Sequence, residues 1–181
     1  GAPGAYYPLQ GRLGMVYVFL GDGVNLPDMS LNDFIPGVTG FRVIGPEVNS
    51  RLGTQVGLAG DLNDDGIHDI YFSAPYASSS SKRECGIVYI MYGRTFVMTD
   101  VFLSGIQTGP LGLLICGGNS YEHLGVAVSK VGDVNQDGIT DILIGAPNAS
   151  YYNRPQAGAA FVIFGGTSSI LNDINVSALS H

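Results

Sequence analysis

Tryptophan is absent, and cysteine occurs only twice in 181 residues. Two cysteines exclude a miniprotein stapled by several disulfides and leave room for one bridge. Lysine and arginine together number 8 against 15 acids, a net charge of −7, which argues against nucleic acid or an anionic membrane as partner. No apolar run exceeds six residues, as in Ala159 to Phe164. A spanning helix needs about 20. Charged residues make up only 13%, and no segment keeps a helical period, so long solvated helices are excluded too. What is plentiful is glycine, with 27 copies, beside 45% apolar residues. That combination suits a folded core of many short strands joined by tight turns.

The chain repeats itself. Asp61-Leu62-Asn63-Asp64-Asp65-Gly66-Ile67-His68-Asp69 returns as Asp133-Val134-Asn135-Gln136-Asp137-Gly138-Ile139-Thr140-Asp141, an offset of 72 residues from Asp61 to Asp133. Gly1-Ala2-Pro3, Ser73-Ala74-Pro75 and Gly145-Ala146-Pro147 keep the same offset, as do the apolar runs opening at Gly14, Gly86 and Gly158. A fixed period of this kind marks supersecondary units that bury their faces against neighbouring units.

The unit from Leu52 shows the internal order. Thr54 to Ala59 reads as a strand, the acidic loop follows at 61–69, and Ile70 to Pro75 reads as a second strand stopped by proline. After a polar loop from Tyr76 to Cys85, the run Ile87 to Tyr92 is continuously apolar, as in a strand covered on both faces. A longer connection leads to a fourth strand at Leu113 to Cys116. Four such strands with short turns predict an all-β fold of β-propeller blades, each a four-stranded antiparallel sheet. Residues 1–51 read as a partial blade with strands two to four, 52–123 as a full blade, and 124–181 as a further blade, incomplete at its end. The last stretch falls near the fourth strand of that unit. About two and a half blades expose apolar faces, so flanking sequence or other chains are expected to cover both ends.

Each acidic loop is spaced for a metal. Oxygens recur at positions 1, 3, 5 and 9: Asp61, Asn63, Asp65 and Asp69, then Asp133, Asn135, Asp137 and Asp141. Gly66 and Gly138 permit a left-handed backbone at position 6. Ile67 and Ile139 would offer a carbonyl to the metal and a side chain to the core. Oxygen-only ligands predict Ca²⁺ at two sites. Zinc is disfavoured because no Cys or His pattern occurs in both loops, and His68 is matched by Thr140. An EF-hand would need a glutamate at position 12, where Phe72 and Ile144 stand. Ordinary Asp/Asn/Gly turn chemistry is the plain alternative.

A Leu-Gly opening, a D-x-N-x-D-G-x-x-D loop and a closing Gly-Ala-Pro together resemble the FG-GAP repeat of integrin α-subunit propellers. Here they are Leu124-Gly125, Asp133 to Asp141 and Gly145-Ala146-Pro147. The resemblance covers nearly the whole chain. Leu52 and Leu124 replace the family's frequent Phe, and Ser73 replaces the Gly of GAP. The resemblance implies seven blades in a complete ring, calcium on one face and ligand contacts from loops on the other. It implies a non-catalytic, extracellular or cell-surface segment acting in adhesion, protein–protein interaction or surface assembly. A protein ligand and further propeller units, from this or other chains, are the expected partners. An accessory propeller of a secreted, phospholipase D-like hydrolase and a structural filament subunit are the alternatives. No nucleophile motif such as G-x-S-x-G occurs, and His68, His123 and His181 fall at unrelated points of the repeat.

On the ligand side, the loops after each Ala-Pro carry Tyr6, Tyr7, Tyr76, Arg83, Tyr151, Tyr152 and Arg154. Tyr and Arg are common interface anchors, though these tyrosines could equally pack within their own loops. Asn148 and Asn175 open glycosylation triplets. Cys85 precedes the third strand of its unit and Cys116 closes the fourth. Antiparallel neighbours bring such ends together, which predicts a disulfide and an oxidising compartment, with two buried thiols as the alternative.

Overall fold

The computed structural model describes residues 1–21, 30–95, 99–104, 111–151, 153–167 and 173–179. The first unit holds β1 (Tyr6–Tyr7), β2 (Gly11–Arg12), β3 (Met15–Phe19) and β4 (Gly40–Ile44). The second holds β5 (Val56–Gly60), β6 (Asp69–Ala74) and β7 (Ile87–Met91), then β8 (Val101–Phe102) within a long connection, and β9 (Gly112–Cys116). The last holds β10 (Ala127–Gly132), β11 (Asp141–Ala146), β12 (Ala159–Ile163) and β13 (Ile174–Asn175). Two short 3-10 turns, Leu31–Asp33 and Val176–Leu179, are the helical pieces among the described residues.

β5, β6, β7 and β9 form an antiparallel meander, the expected four-stranded blade. β3 with β4, and β10 with β11 and β12, form the corresponding parts of the adjoining blades. The fold is all-β and built of propeller blades. Strand β7 is buried along its whole length because blades pack on both of its faces. Its even-numbered residues Val88 and Ile90 join Leu124, Ile142 and Ile144 in one core. Its odd-numbered residues Ile87, Tyr89 and Met91 join Val16, Phe41, Val43 and Leu52 in the other. Each of these aliphatic side chains stabilises the fold by about 1.5–3 kcal/mol on full burial. The apolar run without alternation thus records two buried faces.

The connections do more than the sequence suggests. Strand β8 leaves its own unit and pairs in parallel with β4 of the preceding sheet. Strand β13 does the same to β9, pairing Ile174 with Ile115 and Asn175 with Cys116. The stretch expected near a fourth strand of the last blade therefore straps the blade before it. Parallel pairing of this kind depends on the path of a crossover, which strand patterning does not encode. An aspartate secures each strap at equivalent places. Asp100 accepts the Arg42 backbone N–H at 3.3 Å and its Nε–H at 3.1 Å, and Asp173 accepts the Leu114 N–H at 3.0 Å.

Blades touch closely where glycine opens the third strand. Gly86 holds φ 83°, and a Cβ there would lie 2.3 Å from both the N and O of Leu124. Gly14 meets Leu52 in the same way, at 2.6 Å from its N and 2.5 Å from its O. Backbone meets backbone, so neither side can yield by changing a rotamer. Gly86→Ala is expected to cost about 2–4 kcal/mol through left-handed strain and overpacking. A urea midpoint equal to wild type would show that the blades part easily at this seam.

Candidate functional site

Both acidic loops begin at the same irregularity. The β5–β6 register shifts between Leu58 and Gly60, and the β10–β11 register shifts between Lys130 and Gly132. Gly60 and Gly132 hold φ 84° and 79°, which turns the chain out of the strand. Gly66 and Gly138 are left-handed as expected, at 85° and 89°. Position 4 is left-handed as well, with Asp64 at 58° and Gln136 at 64°, a feature the motif alone did not reveal.

The two loops share one hydrogen-bond scheme. Asp61 accepts the N–H groups of Asp65 at 3.0 Å and Gly66 at 2.9 Å, while Asp133 accepts those of Asp137 at 3.1 Å and Gly138 at 2.8 Å. Asn63 donates to Asp65 at 2.9 Å, and Asn135 donates to Asp137 at 2.7 Å. Asp65 and Asp137 each accept the N–H of Ile67 or Ile139 at 2.8 Å. Both isoleucines are half-buried.

Position 9 faces the core instead of the solvent. Asp69 and Asp141 are fully buried. Asp69 accepts Leu62 N–H and Gly93 N–H, both at 2.8 Å, joining the loop to the end of the third strand. Asp141 accepts Val134 N–H at 2.7 Å and Gly165 N–H at 3.0 Å. Burial pushes the Asp69 carboxyl above its usual range, the two N–H bonds oppose that, and the charges of Asp65 and Asp61 add to it.

The loops differ in cover. Gly166 N–H from the next blade donates to Leu62 O at 2.9 Å, and Asn63 is only 3% exposed. Val134, at the place of Leu62, is 50% exposed. Among the described residues, no group of three or more His, Cys, Asp or Glu side chains is gathered closely enough to hold a metal. The donor chemistry nevertheless fits a hard divalent cation. Every donor is oxygen, and a carboxylate oxygen accepting one N–H keeps a second lone pair.

The disulfide requires correction. Cys85 and Cys116 are free thiols, one buried and one half-buried. The β7–β9 register sets Cys116 opposite Ile87, while Cys85 lies outside β7, before Gly86 at φ 83°, and its thiol donates to Ala77 O at 3.7 Å. Burial, helped by the nearby Cys85, pushes the Cys116 thiol up to about 12, so little thiolate forms. The antiparallel pairing was readable from the sequence, but the register of Cys116 against Ile87 was not.

The meander places the acidic loops and the Ala-Pro loops at opposite ends of the strands, since they join successive strand pairs. On the Ala-Pro side, Tyr6 is 65% exposed and Arg154 is exposed. Tyr7 is half-buried edge-on to Phe102 at 5.5 Å, and Tyr151 packs against Phe161 at 6.0 Å. Tyr152 lies outside the described residues. Tyr76 lies between the Arg51 guanidinium at 4.4 Å and the His123 ring at 4.6 Å. The tyrosines thus divide between packing and exposure. Tyr76 and Arg83 share a cavity of about 350 Å³ with Glu47, Arg51, Ser78 and Glu84. Glu47 and Arg51 come from the preceding unit, so their place beside the 76–85 loop is not legible in the sequence. Of the glycosylation triplets, Asn148 is half-buried with its amide 2.8 Å from His123 Nδ1, whereas Asn175 is exposed.

Residues 124–163 match the FG-GAP repeat family. The chain is 32% identical to integrin alpha-3 of Cricetulus griseus over 103 residues, which are 57% of this chain and 9% of that protein. It is 32% identical to integrin alpha-IIb of Mus musculus over 132 residues, 72% of this chain and 12% of that one. It is 30% identical to phosphatidylinositol-glycan-specific phospholipase D of Rattus norvegicus over 152 residues, 82% and 16% respectively. The chain therefore spans under a fifth of the length of each of these relatives. No helix among the described residues is long and apolar enough to cross a membrane. With its blades, its repeated loops and these relatives, the chain belongs among the FG-GAP repeat proteins as an integrin-α-like segment.

Proposed function

We propose that this segment is a non-catalytic, extracellular, calcium-stabilised part of a β-propeller that serves adhesion, protein–protein interaction or surface assembly. The observation behind this reading is the duplication of one loop device. Two consecutive blades hold the same oxygen donors over the same buried aspartate clamp, Asp69 or Asp141. In each loop, Asp61, Asn63 and Asp65 or Asp133, Asn135 and Asp137 would hold the ion, with Ile67 or Ile139 giving a carbonyl and Asp69 or Asp141 completing the charge. Calcium would supply the positive charge that lets these acids share one loop. The opposite loop face, with Tyr6, Tyr76, Arg83 and Arg154, is then free for a protein ligand. Equilibrium dialysis should find two calcium ions bound to each molecule. Finding none would sink the reading.

A second reading, the accessory propeller of a secreted hydrolase, draws support from the 30% identity to a phospholipase D over 82% of this chain. The isolated segment should be blank in a phosphodiesterase assay under either reading, and turnover by it would overturn the non-catalytic assignment. Expression through a secretory pathway should place glycan on Asn175 and leave Asn148 bare. Peptide mass spectrometry checks this, because the Asn148 amide is already hydrogen-bonded to His123 in a half-buried position.

A further inference from the structure

We infer that the cavity between the β4–β5 loop and the β6–β7 loop is a receptor for a peptide carboxylate, with Arg51 as its recognition group. This rests on the reading of that loop face as a protein-contact surface.

The arginine is held ready. Its guanidinium lies over the Tyr76 ring at 4.4 Å, and a contact through the ring face does not use up the N–H groups that a ligand would need. Tyr76 is backed at 4.6 Å by His123, which is itself 2.8 Å from Asn148 and 3.4 Å from Glu84. The stack therefore runs from one blade to the next, and little ordering remains to be done on binding.

The charges in the cavity are unevenly engaged. Glu47 accepts the Ser78 backbone N–H, and Glu84 faces His123 at 3.4 Å and Arg83 at 3.7 Å. Among the described residues, no carboxylate lies within ion-pair distance of Arg51. Arg83 stands at the rim, with 74% of its side chain exposed. Glu47 and Glu84 balance the two arginines of the cavity, and Arg83 lies beside Glu84, which leaves Arg51 as its cation without an ion pair among the described residues. The next groove lacks the device. The residues at the places of Arg51 and Tyr76 there are His123 and Asn148, and they are hydrogen-bonded to each other. A planar carboxylate matches the guanidinium fork in two parallel N–H···O bonds. It can come from an acidic side chain or from the free C-terminus of a peptide.

Titration of the ¹⁵N-labelled, calcium-loaded protein with short capped peptides separates these sources. One peptide carries a single glutamate and an amidated end, one has a free C-terminus and no acid, and controls replace glutamate by glutamine or lysine. Saturable shifts of the Arg51 Nε–H and Tyr76 signals are expected with one or both carboxylate peptides and with neither control. Arg51→Gln should weaken binding about tenfold or more, and Arg51→Lys, which keeps the charge but loses the fork, should fall between. Melting of both variants should match wild type, since Arg51 is exposed. Equal binding of the glutamine or lysine peptide, unchanged affinity in Arg51→Gln, or no shift with either carboxylate peptide would each overturn the proposal. A null titration on a protein that still binds two calcium ions refutes the cavity alone. A protein that binds no calcium refutes the wider reading, whatever the titration shows.

Discussion

Chelation of calcium should lower the melting temperature by about 10–20 °C. A ligand bound only by the folded state adds about 2.7 kcal/mol at a hundredfold excess over its dissociation constant. Two independent loops then add about twice that, and at this length each kcal/mol moves the midpoint by about 2–4 °C. Repulsion among the loop acids is the proposed origin. Asp61, Asp65 and Asp69 lie close enough that the first and second raise the carboxyl of the third, so an ion between them relieves repulsion. Asp65→Ala and Asp137→Ala should each remove about half of the calcium-dependent gain. The loops should not be equal in affinity. Loop 61–69 is covered by Gly166 of the next blade, whereas loop 133–141 is open at Val134. The covered loop loses less freedom on binding and should fill first in a calorimetric titration. Identical melting curves with calcium and with chelator would show both loops to be metal-free turns.

Asp69→Ala should be the most damaging substitution in either loop, even in chelator. The carboxylate is fully buried and accepts two backbone N–H groups at 2.8 Å. Alanine leaves both donors without that acceptor, at about 1–3 kcal/mol each when buried. Relief of the buried charge offsets part of this, since burial already raises the Asp69 carboxyl. A net loss of about 2–4 kcal/mol is expected from urea melts. Asp141→Ala should cost less, because Val134 is 50% exposed and water can reach its N–H. Asp69→Asn does not rescue the clamp, as one amide cannot accept at both of its ends. Measuring in chelator separates the clamp from metal loss. A cost under about 1 kcal/mol there would mean that the loop closes without its aspartate.

Much of this architecture is legible one residue at a time. The offset from Asp61 to Asp133 determines the number of units and the equivalence of their parts. The unbroken apolar run of β7 determines that blades pack on both of its sides, since alternation would leave one face wet. The order of Asp, Asn and Gly in the loops determines where oxygens gather and marks Gly66 and Gly138 as left-handed turns, though not Asp64 and Gln136. These features are local or periodic, so the residues state them directly.

Contacts across blades are a different matter. The straps β8 and β13 depend on where a long connection happens to run, and their two-residue pairings leave no pattern to read. The free state of Cys85 and Cys116 goes with a register that sets Cys116 beside Ile87, which strand order alone cannot supply. The unequal cover of two nearly identical loops comes from what the following blade lays over them. Arg51 meets Tyr76 because two blades close side by side, though the residues belong to different repeats. The sequence by itself determined the blade, its period and its acidic loops, because backbone preference and side-chain periodicity act within a unit. Tertiary structure alone decided which loop is covered, which thiols stay apart and where a cation stands ready, because those outcomes depend on distances between units.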